Sequence, residues 1–241
     1  MQEPREIWLV RHGQSEGNVI REAARDPDAE TLSIADRDMD VPLSDLGRRQ
    51  AAAFGRWLGD QPNPPEVVIA SPYARAAQTA TIIAERAPLG DKVHLDERLR
   101  ERELGILDLL TWTGVQRRFP GEAARRTRLG KFYHRPPGGE SWVDVALRLR
   151  SLRDSLAREH AGKVVMIVTH EVPILIMRYL LEDLDEPTVL SFAGHLANCS
   201  LTRYVSDDEG RPQLHQVGWT APLDEDDVPV TDEPEHPVAP R

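Results

Sequence analysis

The chain has 241 residues, with 30 Lys and Arg against 40 Asp and Glu, for a formal net charge of −10. That length suits one α/β core, and an acidic chain without a basic block or an apolar run near roughly 18 residues argues against nucleic acid and membrane insertion. Cys199 is the only cysteine, and MQEPREIWLV carries acids and a Pro where a secretory signal would be basic and then apolar, so a cytoplasmic location is expected.

In chain order, Ile7 to Val10 reads as a buried strand that runs directly into Arg11-His12-Gly13. Arg21 to Asp40 mixes charges with little periodicity and is expected as a loop or frayed helix. A helix follows the cap residue Ser44 through DLGRRQAAAFGRWL. Val67 to Ala70 is a second strand, ending at Ser71-Pro72, and ARAAQTATIIAERA a second helix. Glu97 to Gly139 is dense in Arg and Glu and is expected as a helical, lid-like insertion. A third helix starts after Ser141, with Trp142, Val145, Leu149 and Leu152 on one face. Val164 to Val168 is a strand running into Thr169-His170, and CSLTRYV and QLHQV are two more, joined through SDDEG. From Ala221 onward, five prolines and seven acids predict a disordered tail. Strands alternating with helices imply parallel pairing with helices on both faces, a three-layer α/β/α fold with a mostly parallel sheet over residues 1–220.

Ligands of such sheets sit outside the carboxyl ends of the strands. Arg11, His12 and His170 occupy that position, and Arg75 follows the Ser71-Pro72 strand end by one helical turn. Each residue alone has an ordinary structural explanation as a capping or surface group. Two Arg and two His buried together, however, cost several kcal/mol unless an anion compensates them. Guanidinium forks suit tetrahedral oxyanions and a neutral imidazole can attack phosphorus, so the inferred chemistry is phosphoryl transfer.

LVRHGQSEGN (9–18), PLSDLGRRQA (42–51), SPYARAAQTA (71–80), LRERELG (99–105) and IVTHEVPI (167–174) occur in that order. The chain thereby resembles the histidine phosphatase superfamily, also called phosphoglycerate mutase-like, over roughly residues 5 to 205. The resemblance implies that His12 is a nucleophile forming a phosphohistidine, and that Arg11, Arg75 and His170 grip the transferring phosphoryl group. It implies that Glu101 is the general acid, with Asn18 and Gln14 as further substrate contacts. Glu97 and Glu103 are the rival acids, and the alternative for all three is a solvated pair with Arg98, Arg100 or Arg102. No metal or other cofactor is implied, and the other six histidines show no metal-ligand spacing.

KFYHRPPGGESWVDVALRL (131–149) is similar to the fructose-2,6-bisphosphatase branch, with Lys131, Tyr133, Arg135 and Glu140 matching and Lys131 and Arg135 as implied substrate contacts. Glu171, Leu175 and Trp112 depart from that branch, and a carboxylate at Glu171 would repel a second phosphate. The mutase branch is the nearest alternative, yet Glu103 and Glu171 lower the positive potential that retaining a phosphoenzyme needs. A phosphatase acting on small phosphorylated metabolites is therefore expected. A non-catalytic phospho-ligand scaffold is the alternative from another class, and the oligomeric state, a homodimer included, is left open.

Overall fold

The structure is a computed structural model and describes residues 3–23, 26, 28–87, 89 and 93–232. Its strands are β1 (Glu6–Arg11), β2 (Val67–Ala70), β3 (Val93–Leu95), β4 (Val164–Thr169), β5 (Leu201–Ser206) and β6 (Pro212–Trp219). The helices are α1 (Glu16–Ala23), α2 (Asp45–Gly59), α3 (Ala74–Ala84), α4 (Trp112–Arg118), α5 (Pro120–Tyr133), α6 (Trp142–Glu159), α7 (Glu171–Leu181), α8 (Glu186–Ser191) and α9 (Ala221–Glu225).

Successive side chains of a strand point to opposite faces, and Ile7, Trp8, Leu9 and Val10 are all buried, so β1 needs cover on both sides. Ile7 and Leu9 join Val165 and Ile167 beneath Leu149 and Leu152 of α6 and Ile174 of α7. Trp8 and Val10 join Met166 and Val168 beneath Phe54 and Leu58 of α2 and Ile83 of α3. These two apolar cores on one sheet make the three layers. Each fully buried Leu or Ile contributes about 1.5–3 kcal/mol of transfer free energy, which is why the strands tolerate no polar face.

The sheet order is β3-β2-β4-β1-β5-β6. β1 is parallel to β4, β4 to β2 and β2 to β3, while β5 and β6 add antiparallel at the far side. The parallel register sets Arg11 opposite Thr169 and Ala70 opposite Val168. The residues that follow β1, β2 and β4 therefore emerge side by side. The short edge strand β3 and the helices α7 and α8 were not anticipated: three residues of strand are too few to show a period, and α7 is apolar around most of its circumference.

Two helix starts carry the local chemistry read from the sequence. The Ser44 hydroxyl accepts from the Gly47 amide at 3.0 Å, and Ser141 and Asp144 form a reciprocal capping box ahead of α6. Between β3 and α6 the chain carries two 3-10 turns, at Glu97–Leu99 and Gly105–Leu107, and then α4 and α5.

The tail expectation needs correction over its first half. Ala221–Glu225 is helical, Leu223 is fully buried against the α2 side of the sheet, and Arg56 pairs with Asp226 at 2.7 Å. A few apolar anchors suffice where a core already exists to receive them, which average composition does not register. Residues 233–241 of that tail lie outside the described residues. Among the described residues, no helix is long and apolar enough to cross a membrane.

Candidate active site

A cleft of about 330 Å³ opens where β1, β2 and β4 end. Its floor is built by backbone pairing: the His12 amide donates to the Thr169 carbonyl at 2.9 Å and the Ser71 amide to the Val168 carbonyl at 3.0 Å. Arg11, His12, Asn18, Arg75, Glu101 and Lys131 all line it.

His12 is 4% exposed. Its Nδ1 lies 2.7 Å from the Gly13 carbonyl oxygen, which can only accept, so Nδ1 carries the proton and Nε2 the lone pair. Arg75 Nε–H approaches that Nε2 at 3.3 Å. Desolvation, with the charges of Arg75 and Arg11 behind it, holds the His12 imidazole well below the usual histidine range, so the ring is neutral at physiological pH.

His170 lies under the cleft rather than on its wall. It is fully buried, its ring centroid stands 5.1 Å from that of His12 at an edge-on angle of 61°, and its Nε2 lies 2.8 Å from the Ser71 hydroxyl. Its Nδ1 is buried without a hydrogen-bond partner. Burial, then Arg75, holds it neutral as well.

Arg11 anchors one guanidinium nitrogen on the Leu196 carbonyl. Arg75 is tied to Asp38 twice, from Nη1 to the carbonyl at 2.6 Å and from Nη2 to the carboxylate at 3.1 Å. Its guanidinium also stands 5.3 Å from the Tyr73 ring centroid. The Arg75 fork stands at the face of His12 that carries the lone pair, and Arg11 lines the same cleft.

Glu101 is the carboxyl that departs furthest from ordinary behaviour. Burial raises its pKa to about 7, against the lowering effect of the Arg102 amide that donates to Oε1 at 2.7 Å. Neither of the rival glutamates matches it. Glu97 is exposed and outside the cleft, and Glu103, at the rim, accepts from the Tyr73 hydroxyl. The surface-pair alternative also fails for Glu101, since Arg98 pairs with Asp96 at 2.6 Å and Arg100 with Glu140 at 2.7 Å.

Two implied substrate contacts are corrected. Gln14 is buried away from the cleft, its Oε1 accepting from the Ser44 hydroxyl at 2.7 Å and its backbone N–H donating to Gln50 Oε1 at 2.9 Å. Arg135 has a side chain 68% exposed and holds the Gly139 carbonyl at 3.1 Å. Both were placed by resemblance of a linear run, and the direction in which a loop side chain turns is decided by what packs against it. Of the run near residue 131, Tyr133 donates to Glu186 and Glu140 bridges Arg100 and Arg148, so among the four matching residues Lys131 alone faces the cleft.

Lys131 stands over the Trp142 ring, 5.5 Å from its centroid, with its pKa lowered to about 8 by burial and by Arg126. Arg126 and Arg102, not singled out from the sequence as site residues, share that wall, and Arg126 lies 5.2 Å from the Trp112 ring centroid. Burial and the charge of Arg126 bring Arg102 down to about 10. Glu171 also lines the cleft, and its carboxylate accepts from the Gly194 amide at 3.0 Å. The signal for Arg102 was present, since it adjoins Glu101 in LRERELG; Arg126 lies in a charged helix with nothing local to mark it. Among the described residues, no group of three or more His, Cys, Asp or Glu side chains is placed to hold a metal ion.

Comparison with known proteins agrees with this geometry. The chain is 32% identical over 224 residues to glucosyl-3-phosphoglycerate phosphatase of Mycolicibacterium vanbaalenii, covering 89% of this chain and 92% of that protein. It is 27% identical to the 6-phosphofructo-2-kinase/fructose-2,6-bisphosphatase of Caenorhabditis elegans over 96% of this chain. A mycobacterial glucosyl-3-phosphoglycerate phosphatase solved with inorganic phosphate superposes with a TM-score of 0.70 at 28% identity, covering 90% of this chain and 99% of that one. The chain spans about half the length of some curated relatives that it matches, 46% of the C. elegans protein and 55% of a bifunctional protein of Mycobacterium tuberculosis. The family description histidine phosphatase superfamily (branch 1) matches residues 7–220, and the chain belongs to that family.

Proposed function

We propose that the protein is a metal-independent phosphatase that hydrolyses small phosphomonoesters through a phosphohistidine on His12. The observation that carries this is the His12 tautomer: with Nδ1–H given to Gly13, the Nε2 lone pair faces the cleft beside Arg75. His12 Nε2 forms the N–P bond as the P–O bond to the alcohol breaks, and Glu101, protonated up to a pH near 7, gives the leaving oxygen its proton. Water then attacks phosphorus as the resulting Glu101 carboxylate takes a proton, the N–P bond breaks, and inorganic phosphate and neutral His12 result. Arg11 and Arg75 supply positive charge to the equatorial oxygens, and His170, beneath the cleft, packs edge-on against the His12 ring.

The far wall supports a substrate whose alcohol part bears a second anionic group. Arg102, Arg126 and Lys131 are desolvated, and the charge of Arg126 lowers the pKa values of both Arg102 and Lys131, so an anion placed among them relieves both costs. Glucosyl-3-phosphoglycerate, the ester in the name of the mycobacterial relatives, is one molecule of this kind. Glu103 and Glu171 in the same cleft favour hydrolysis over retention of the phosphoenzyme for transfer. A cytoplasmic location accords with the single, buried Cys199.

Brief reaction with a ³²P-labelled phosphomonoester and an alkaline quench is expected to leave acid-labile label on the peptide containing His12. His12→Ala should abolish both the label and turnover of p-nitrophenyl phosphate. Label on a serine or on His170, or an active His12→Ala enzyme, overturns the assignment.

A further inference from the structure

The segment after α9 is the part of the chain that the proposed chemistry leaves without a role, yet its hydrogen bonds lead to the nucleophile. The Thr231 hydroxyl donates to Asn198 Oδ1 at 2.9 Å and accepts from Gln50 Nε2 at 3.0 Å. Asn198 is fully buried and turns its Nδ2 to the His12 carbonyl at 3.1 Å and to Asn18 Oδ1 at 3.5 Å. Gln50, equally buried, receives the Gln14 amide on Oε1 at 2.9 Å. One hydroxyl therefore closes two routes into the loop of residues 12–18. The segment is held in place independently of the Thr231 hydroxyl, by the Asn198 backbone amide on the Thr231 carbonyl at 2.7 Å and Gln50 Nε2 on the Pro229 carbonyl at 2.9 Å.

We infer that Thr231 is a positioning residue for the His12 loop, acting through the side-chain amides of Asn198 and Gln50. An Asn side chain presents an acceptor at one end and a donor at the other, and which end faces which neighbour is decided by the network around it. The His12 carbonyl can only accept, so the NH₂ end of Asn198 faces His12 and Asn18, and the Thr231 O–H pairs the oxygen at the other end. Asn18 Oδ1, which also accepts from the Ser15 amide at 2.9 Å, is thereby fixed in turn. Without the hydroxyl, Asn198 Oδ1 is left buried and unpaired, its side-chain amide is held at one end only, and the carbonyl support of His12 loosens. In-line attack on phosphorus tolerates little displacement of Nε2, so the effect should fall on the chemical step more than on binding.

This inference rests on His12 as the nucleophile for its kinetic part, but its structural part can be read separately. In the full chain, Thr231→Val, Thr231→Ala and Thr231→Ser would be compared by amide hydrogen exchange at Gln14, Ser15 and Asn18, and by kcat and KM on p-nitrophenyl phosphate. The Val and Ala variants should exchange about tenfold faster at those amides and lose about tenfold in kcat, with KM changed less than about threefold. The Ser variant, which keeps the hydroxyl, should restore both readouts to within about twofold. Unchanged exchange in the Val and Ala variants, or a Ser variant as impaired as they are, overturns the inference. A wild-type enzyme that forms no phosphohistidine on His12 would overturn the proposed function instead, while faster exchange in the Val and Ala variants with recovery in the Ser variant would still establish that Thr231 positions the loop.

Discussion

Replacing Glu101 by Gln removes one proton and changes little else in shape, which makes it a sharp probe of the cleft. Burial holds this carboxyl at about 7 against an ordinary 4.5, so the folded protein keeps a proton that the unfolded chain releases. Its stabilising contribution is complete below about pH 4.5 and is lost as pH rises through 7. A rise from 4.5 to about 7 corresponds to about 3 kcal/mol for a fully desolvated carboxyl, reduced to about 2 kcal/mol by partial solvent contact. Glu101→Gln should therefore be more stable than wild type by about 2 kcal/mol at pH 8, with the gap closing toward pH 4.5. Activity should move the other way. Rapid-quench bursts on an alkyl phosphate should fall by about two to four orders of magnitude, and less on p-nitrophenyl phosphate, whose alcohol leaves without help. Wild-type alkyl bursts should decline above pH 7 as the carboxyl loses its proton, and the variant should lack that decline. Urea unfolding at the two pH values and burst amplitudes across pH 5.5–8.5 measure both sides. The reasoning is refuted if Glu101→Gln keeps wild-type bursts on the alkyl ester while Glu103→Gln suppresses them, because the proton would then come from the rim beside Tyr73.

Turnover should survive excess EDTA and gain little from added Mg²⁺, since the positive charge is attributed to Arg11 and Arg75; strong inhibition by chelator at unchanged melting temperature would contradict this. Arg126→Met should lower kcat/KM about tenfold or more for a phosphomonoester carrying a second anionic group, and distinctly less for p-nitrophenyl phosphate; equal losses on both would remove Arg126 from substrate recognition. Gly47→Ala places a Cβ 2.0 Å from the Gln14 carbonyl oxygen, so the loop after β1 and the start of α2 must separate. A loss of about 2–4 kcal/mol in urea unfolding, with a fall in kcat, is expected, and a neutral substitution would mean that this approach is unimportant.

Much of the fold was legible because it is written in local pattern. Short apolar runs, the Ser44 and Ser141 caps and the 3.6-residue stripe of α6 each depend on residues within a few positions of one another. Placement of Arg11, His12 and Arg75 on one cleft was legible for a related reason: parallel strands with helical crossovers leave their following loops at one edge, wherever the intervening chain goes, whereas Glu101 was implied only by the resemblance. What stayed hidden was settled by partners far away in the chain. Gln14 turned inward because the Ser44 hydroxyl donates to its Oε1, Arg135 stayed in solvent with its Nε on the Gly139 carbonyl, and Arg75 found Asp38 across a stretch with no periodicity. The acidic, proline-rich end showed the same limit most plainly. Its composition alone argues for disorder, but Leu223 meets a core assembled from α2 and the sheet, and Thr231 meets Asn198 and Gln50, 33 and 181 residues distant in sequence. Sequence by itself determined most of the elements, though not β3, α7 and α8, together with the layer order and the chemistry available at the strand ends. Tertiary structure decided which polar side chains face the cleft and which brace it, because a buried donor or acceptor takes whatever partner packing brings within reach.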